Sequence, residues 1–121
     1  MVMLDTNMIL RYLLNDNPDM AERAEQYLES GEATVTTEVI AEAVYVLRGV
    51  YDLDRETIAE TLKRFLALVN CRDGDVLCVA LDTYAAQGLD FVDCVLFAYH
   101  RVRHAVIATF DKKLLKLMRQ Q

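Results

Sequence analysis

Short apolar runs alternate along this chain with longer stretches whose apolar residues recur at helical spacing, and turn signals separate the two. Val2 to Leu4 reads as a buried strand, followed by a helix through Met8, Ile9, Tyr12 and Leu13. Asn15 to Pro18 is a turn before a second helix from about Asp19 to Leu28, and Gly31 marks the next break. Ala33 to Thr36 reads as a second strand, after which Val39, Ala43, Val46 and Leu47 keep helical spacing up to Gly49. Asp54 caps a helix with Ile58, Leu62, Phe65, Leu66 and Val69 on its apolar face, and Val69 to Arg72 is a candidate third strand. Val76, Leu77, Ala80, Leu81 and Tyr84 fit a helix ended by Gly88. Asp90 opens the next helix, which is apolar nearly all round from Val92 to Tyr99 and is therefore expected inside the fold. Ala105 to Thr109 is the clearest strand, and Asp111 leads a last helix with Leu114, Leu115 and Met118 inward. Such alternation predicts an α/β fold: a central parallel β-sheet of four to five short strands, with helices on both faces and right-handed crossovers.

A chain of 121 residues with 54% hydrophobic content is long enough to bury a core as one domain, expected to span residues 1–121. Asp93 interrupts the apolar run from Phe91 to Tyr99, and no stretch reaches the roughly 20 residues that cross a bilayer. A strand begins at once, without a basic leader or secretory cleavage site, so a cytoplasmic protein is expected. Cys71, Cys78 and Cys94 are odd in number and never spaced C-x-x-C, which argues against a disulfide framework and against structural zinc. His100 and His104 lack a third His or Cys at metal spacing, and a capping or surface role suits them. Neither a Ser/His/Asp set nor a Gly-rich phosphate loop can be assembled from these residues.

Four acids carry the chemical signal. Asp5 and Asp111 fall where an apolar strand gives way to a helix, Asp93 lies at a helix start, and Glu42 lies on a helix. Taken singly, each has a plain explanation. Asp is a favoured N-cap residue, and Asp90 with Asp93 resembles a capping box with Asp in place of Glu. Glu42 shares the helical face of Val39, Ala43 and Val46 and is expected to point inward, where an unpaired carboxylate costs several kcal/mol. Lys and Arg are missing one turn away on that face, since Arg48 is displaced from it. In an open α/β sheet, ligands gather outside the carboxyl ends of the strands, so these acids can converge. Carboxylates packed together call for a divalent cation or protons to neutralise them.

The net charge of -6 disfavours phosphate binding at first sight. Its distribution tells otherwise. Acids are dense from Asp16 to Glu42, whereas from Arg101 onward Arg101, Arg103, His104, Lys112, Lys113, Lys116 and Arg119 face only Asp111. That basic segment suits either a solvated helix face or a phosphate backbone next to the acids.

At these residues the chain resembles the PIN domains. V-M-L-D-T-N-M-I-L-R at Val2 to Arg11 looks like their opening, and T-T-E-V-I-A-E-A-V-Y-V-L at Thr36 to Leu47 like their second motif. L-D-F-V-D-C-V-L-F-A at Leu89 to Ala98 looks like the third, and A-T-F-D-K-K-L at Ala108 to Leu114 like the last. The compact form is similar to the VapC toxins of toxin-antitoxin pairs. The resemblance implies a Mg²⁺- or Mn²⁺-dependent endoribonuclease with Asp5, Glu42, Asp93 and Asp111 as its acidic cluster. Asp5, Asp93 and Asp111 would be the metal ligands, and Glu42 would orient the ion's waters. Thr6, Asn7 and Thr109 match supporting positions, with Asp90 expected to cap its helix. Arg101, Arg103, Lys112 and Lys113 are the expected contacts to RNA, a tRNA or a ribosomal RNA loop. A cognate antitoxin and a homodimer are implied as well, with Arg11, Tyr12, Tyr45, Tyr51 and Phe65 as candidates to line such surfaces. The competing expectation is a catalytically silent PIN module that binds RNA or a protein partner. A receiver-type switch fits poorly, since Thr6 and Asn7 stand where it would need acids, and a D-x-D-x-T phosphatase lacks its second Asp.

Overall fold

The computed structural model describes residues 1–120. Strand β1 (Val2–Met3) lies parallel to β2 (Ala33–Thr34), with Val2 opposite Ala33 and Met3 opposite Thr34. Val2 N–H donates to Glu32 O at 2.8 Å and Leu4 N–H to Thr34 O at 2.9 Å. A third chain segment joins at one residue. Asn70 bridges Thr34 in parallel, its N–H donating to Ala33 O at 2.8 Å while its carbonyl accepts Val35 N–H at 3.0 Å. Between β1 and β2 run α1 (Thr6–Leu14) and α2 (Pro18–Glu29); α3 (Thr37–Gly49) and α4 (Arg55–Leu66) follow β2. The rest of the chain forms α5 (Gly74–Ala86), α6 (Phe91–Arg103) and α7 (Lys112–Arg119).

The mixed α/β class and the helix sequence agree with expectation, but the sheet does not. Among the described residues, two strands and one bridge stand where four to five strands were expected. The caps explain why the strands are so short. Asp5 and Thr36 already accept hydrogen bonds from Met8 N–H and Val39 N–H, so α1 and α3 begin three residues after β1 and β2 end. Ala105 to Thr109, expected as the clearest strand, is extended only in its burial. Its residues alternate between partly covered and exposed, yet among the described residues no backbone hydrogen bond joins it to β1 or β2.

Several helix ends lie where local chemistry directs. Asn17 caps α2 with Pro18 at its first turn, Asp54 caps α4 by accepting Thr57 N–H at 2.7 Å, and Asn15 ends α1 in the left-handed conformation. Gly31, at φ 75°, takes the left-handed turn that brings the chain from α2 into β2. His104 ends α6 with φ 57°, and His100 Nδ1 lies 3.0 Å from Ala105 O, so both histidines serve the helix terminus. Ile9, Ile40, Leu47, Ile58, Leu62, Phe65, Leu77, Leu81 and Phe91 are buried in one connected core. Tyr12 packs on Phe65 with ring centroids 6.0 Å apart, so those two side chains belong to the core and its border. Arg55 stacks 3.7 Å above the Tyr84 ring and donates to Tyr84 O at 2.7 Å and to Leu89 O. This clamp holds the turn that delivers Asp90 and α6. All three cysteines are free thiols, and burial pushes that of Cys94 up to about 12. Among the described residues, no helix is long and apolar enough to cross a membrane.

Candidate active site

Asp5 stands at the carboxyl end of β1 and caps α1, its Oδ1 accepting Met8 N–H at 2.9 Å. Asp111 repeats the device at α7, with Oδ1 accepting Leu114 N–H at 2.9 Å, while its own N–H donates to Thr109 Oγ1 at 3.0 Å. Capping occupies one oxygen of each carboxylate. A carboxylate offers about four lone-pair sites, so a cap and a metal ligand are compatible roles for one side chain. Among the described residues, the second oxygen of each has no protein partner. Thr6 is buried at the start of α1 and Asn7 is exposed beside it. Asp5 and Asn7 border a cavity of about 150 Å³ together with Met8, Arg11, Met20 and Arg23. Arg11 is engaged there, 2.5 Å from Asp16 Oδ2 and 3.2 Å from the Tyr51 hydroxyl.

Asp93 sits partly buried in the first turn of α6. Burial first, then the charge of Asp111, then that of Asp90, hold its carboxyl above the usual carboxylate range. The starts of α6 and α7 thus place these acids in one another's field. Asp90 departs from expectation. Its side chain makes no capping bond; instead Oδ2 accepts the Tyr45 hydroxyl at 2.9 Å. A tyrosine from α3 therefore engages the carboxylate expected to cap α6. Tyr45→Phe is expected to cost about 0.5–1.5 kcal/mol for the lost hydrogen bond, measured as a shift of the denaturant midpoint at constant slope.

Glu42 is exposed, not buried. The covered face of α3 is Ile40, Ala43, Val44 and Leu47, which turns Glu42 toward the flank carrying Tyr45, one helical turn on. The spacing of Val39, Ala43 and Val46 misplaced that face by about one residue, since Val39 and Val46 are only partly covered. No desolvated carboxylate at Glu42 needs a partner.

Arg103 is also reassigned. Its guanidinium lies 2.7 and 2.9 Å from the two oxygens of Asp75 and 3.3 Å from Asp73, whose other oxygen accepts the Tyr99 hydroxyl at 2.9 Å. The packing of α5 on α6 brings these groups together, and Arg103 ties the two helices instead of meeting phosphate. Arg101, Lys112 and Lys113 are exposed, with no ion-pair partner among the described residues. The Tyr45–Asp90 and Arg103–Asp75 contacts join residues far apart in the chain, and no local pattern announces either.

Among the described residues, no group of three or more His, Cys, Asp or Glu is arranged to hold a metal ion. Mg²⁺ does not require one. It keeps several waters and takes one or two carboxylates together with substrate phosphates. Asp93 and Asp111 suit that demand in donor type and in mutual repulsion. A wider groove of about 540 Å³ bordered by α4 and α5 contains none of the four acids and is lined by the Lys63–Asp82 ion pair.

Carboxylates thus stand at a strand end and at helix starts of an α/β protein with a small parallel sheet. The model of the PIN domain family matches residues 2–119, and the chain belongs to that family. PIN domains are typically metal-dependent nucleases. No curated protein and no solved structure matches the chain.

Proposed function

We propose that this PIN domain is an endoribonuclease dependent on Mg²⁺ or Mn²⁺, with Asp5, Glu42, Asp93 and Asp111 as its working acids. The observation that carries the reading is the family match over nearly the whole chain, beside Asp93 and Asp111 in the first turn of α6 and at the cap of α7, where burial and then the charge of Asp111 raise the Asp93 carboxyl. When bound, the ion makes water nucleophilic near neutral pH and offsets charge on the scissile phosphate. Asp93 and Asp111 are the residues to hold it, and the oxygen of Asp5 left over from capping is available to the same end. The α1 cap and the Thr109 contact keep Asp5 and Asp111 in position, so neither carboxylate must be ordered when substrate arrives. Glu42, exposed on α3 beside Tyr45, is free to orient solvent at the site. Hydrolysis of this kind leaves a 5′-phosphate and a 3′-hydroxyl.

The fuller reading is a cytoplasmic toxin of the VapBC type that cuts a tRNA or a ribosomal RNA loop, works as a homodimer and is held by a cognate antitoxin. Its support is the order of the four motifs and the family match over residues 2–119. Purified protein incubated with total cellular RNA, with and without Mg²⁺ or Mn²⁺, tests the activity when new 5′ ends are mapped. Metal-dependent ends at a few discrete sites are expected; intact RNA in every metal would leave a silent RNA- or partner-binding module.

The phosphate contacts have their own test. Lys112→Gln with Lys113→Gln is expected to weaken RNA binding across sequences and to flatten the salt dependence by about 1.4 units of log–log slope, two phosphates at ~0.7 each for a single strand. Filter binding over a salt series measures this, and a slope equal to wild type would route the RNA elsewhere.

A further inference from the structure

The segment between α6 and α7 turns an apolar stripe outward. Val106, Ala108 and Phe110 are exposed while Ala105, Ile107 and Thr109 are partly covered, which is the period of an extended chain. Phe110 is as exposed as in an unfolded peptide, at 102%. Its ring contributes nothing to the core, and it immediately precedes Asp111 at the start of α7. The residues that follow carry Lys112, Lys113, Lys116 and Arg119 and no acid as far as Gln120. An aromatic face beside the acids and next to a row of cations matches one kind of occupant. A nucleobase presents a π-face flanked by phosphates, and base-on-aromatic stacking works only on an unpaired base.

We propose that Phe110 is a base-stacking residue, which takes an unpaired base next to the scissile phosphate while Lys112 and Lys113 hold the adjoining backbone. The substrate is then single-stranded at the point of cleavage. This rests on the ribonuclease reading above and adds to it the side chain that meets the base.

The chain has no tryptophan, so Phe110→Trp installs a single reporter on an exposed position. The variant is titrated in EDTA, where no cleavage occurs, with a short single-stranded RNA and with a duplex of the same sequence. Expected are quenching by the single strand and little by the duplex, and binding of the single strand weakened about 10- to 100-fold in Phe110→Ala and restored in Phe110→Tyr. Melting temperatures should stay level across the three variants, while Phe110→Ala raises KM for cleavage. Unquenched fluorescence at saturating RNA, or equal affinity of Phe110→Ala and wild type, overturns the proposal. So does an altered oligomeric state of Phe110→Ala with unchanged RNA binding, which would assign the ring to a protein contact. If wild type cleaves RNA while Phe110→Ala binds it normally, stacking alone fails. If the reporter is quenched but wild type cleaves nothing in any metal, stacking stands and the nuclease reading falls.

Discussion

Asp5→Asn is expected to yield a protein that folds as wild type does and cleaves RNA more than about 100-fold more slowly, since even outer partners of a metal site are worth about 10- to 100-fold. The substitution is nearly isosteric and removes charge without removing volume. It also keeps the fold's use of the side chain, because Asn caps helices about as well as Asp and can still accept Met8 N–H. A residue that only caps predicts an active variant; a residue that also binds metal predicts a folded, inactive one. Single-turnover cleavage beside a thermal melt separates them, and near wild-type, metal-dependent cleavage would remove Asp5 from the site.

A second large effect is expected in stability. Asp93 is held above the usual carboxylate range by burial and by the charges of Asp111 and Asp90, so its ionised form is disfavoured in the fold. For an acid raised in this way the native state binds more protons than the unfolded chain between the two pKa values. Stability therefore falls as pH rises from the unfolded value through the folded one, and the deficit persists at neutral pH. Asp93→Asn should then melt higher than wild type at pH 7 without metal, and the difference should shrink toward acid pH. In wild type, Mn²⁺ at about a hundred times its Kd adds about 2.7 kcal/mol by mass action, a rise in Tm on the order of 10 °C for a chain of this size. The variant should respond far less. Superimposable melts across millimolar Mn²⁺ in both proteins would end the case for a shared site.

Much of this molecule is legible residue by residue because its punctuation is local. Asp5, Asn17, Thr36, Asp54 and Asp111 each accept a hydrogen bond from a backbone N–H in the first turn of the following helix. Such caps need no distant partner, so strand ends and helix starts can be placed from the order of residues alone. Glu42 shows where periodicity loses resolution. At 3.6 residues per turn an error of one position rotates a side chain by about 100°, enough to move it from core to surface. The strand expected at Ala105 to Thr109 fails for a different reason. β-branched residues favour extended backbone, but a strand exists only when another edge supplies its hydrogen bonds.

The order of amino acids by itself determined the helix sequence, the four acidic motifs and the family to which they belong. These depend on propensity, capping and spacing along the chain. Only the tertiary structure decided which acids feel one another, that Tyr45 takes Asp90, that Arg103 is committed to Asp75 and Asp73, and that Phe110 stands bare beside Asp111. Each of those contacts, or its absence, is set by how one helix is rotated and shifted against its neighbour, and that packing is a property of all the side chains between them at once.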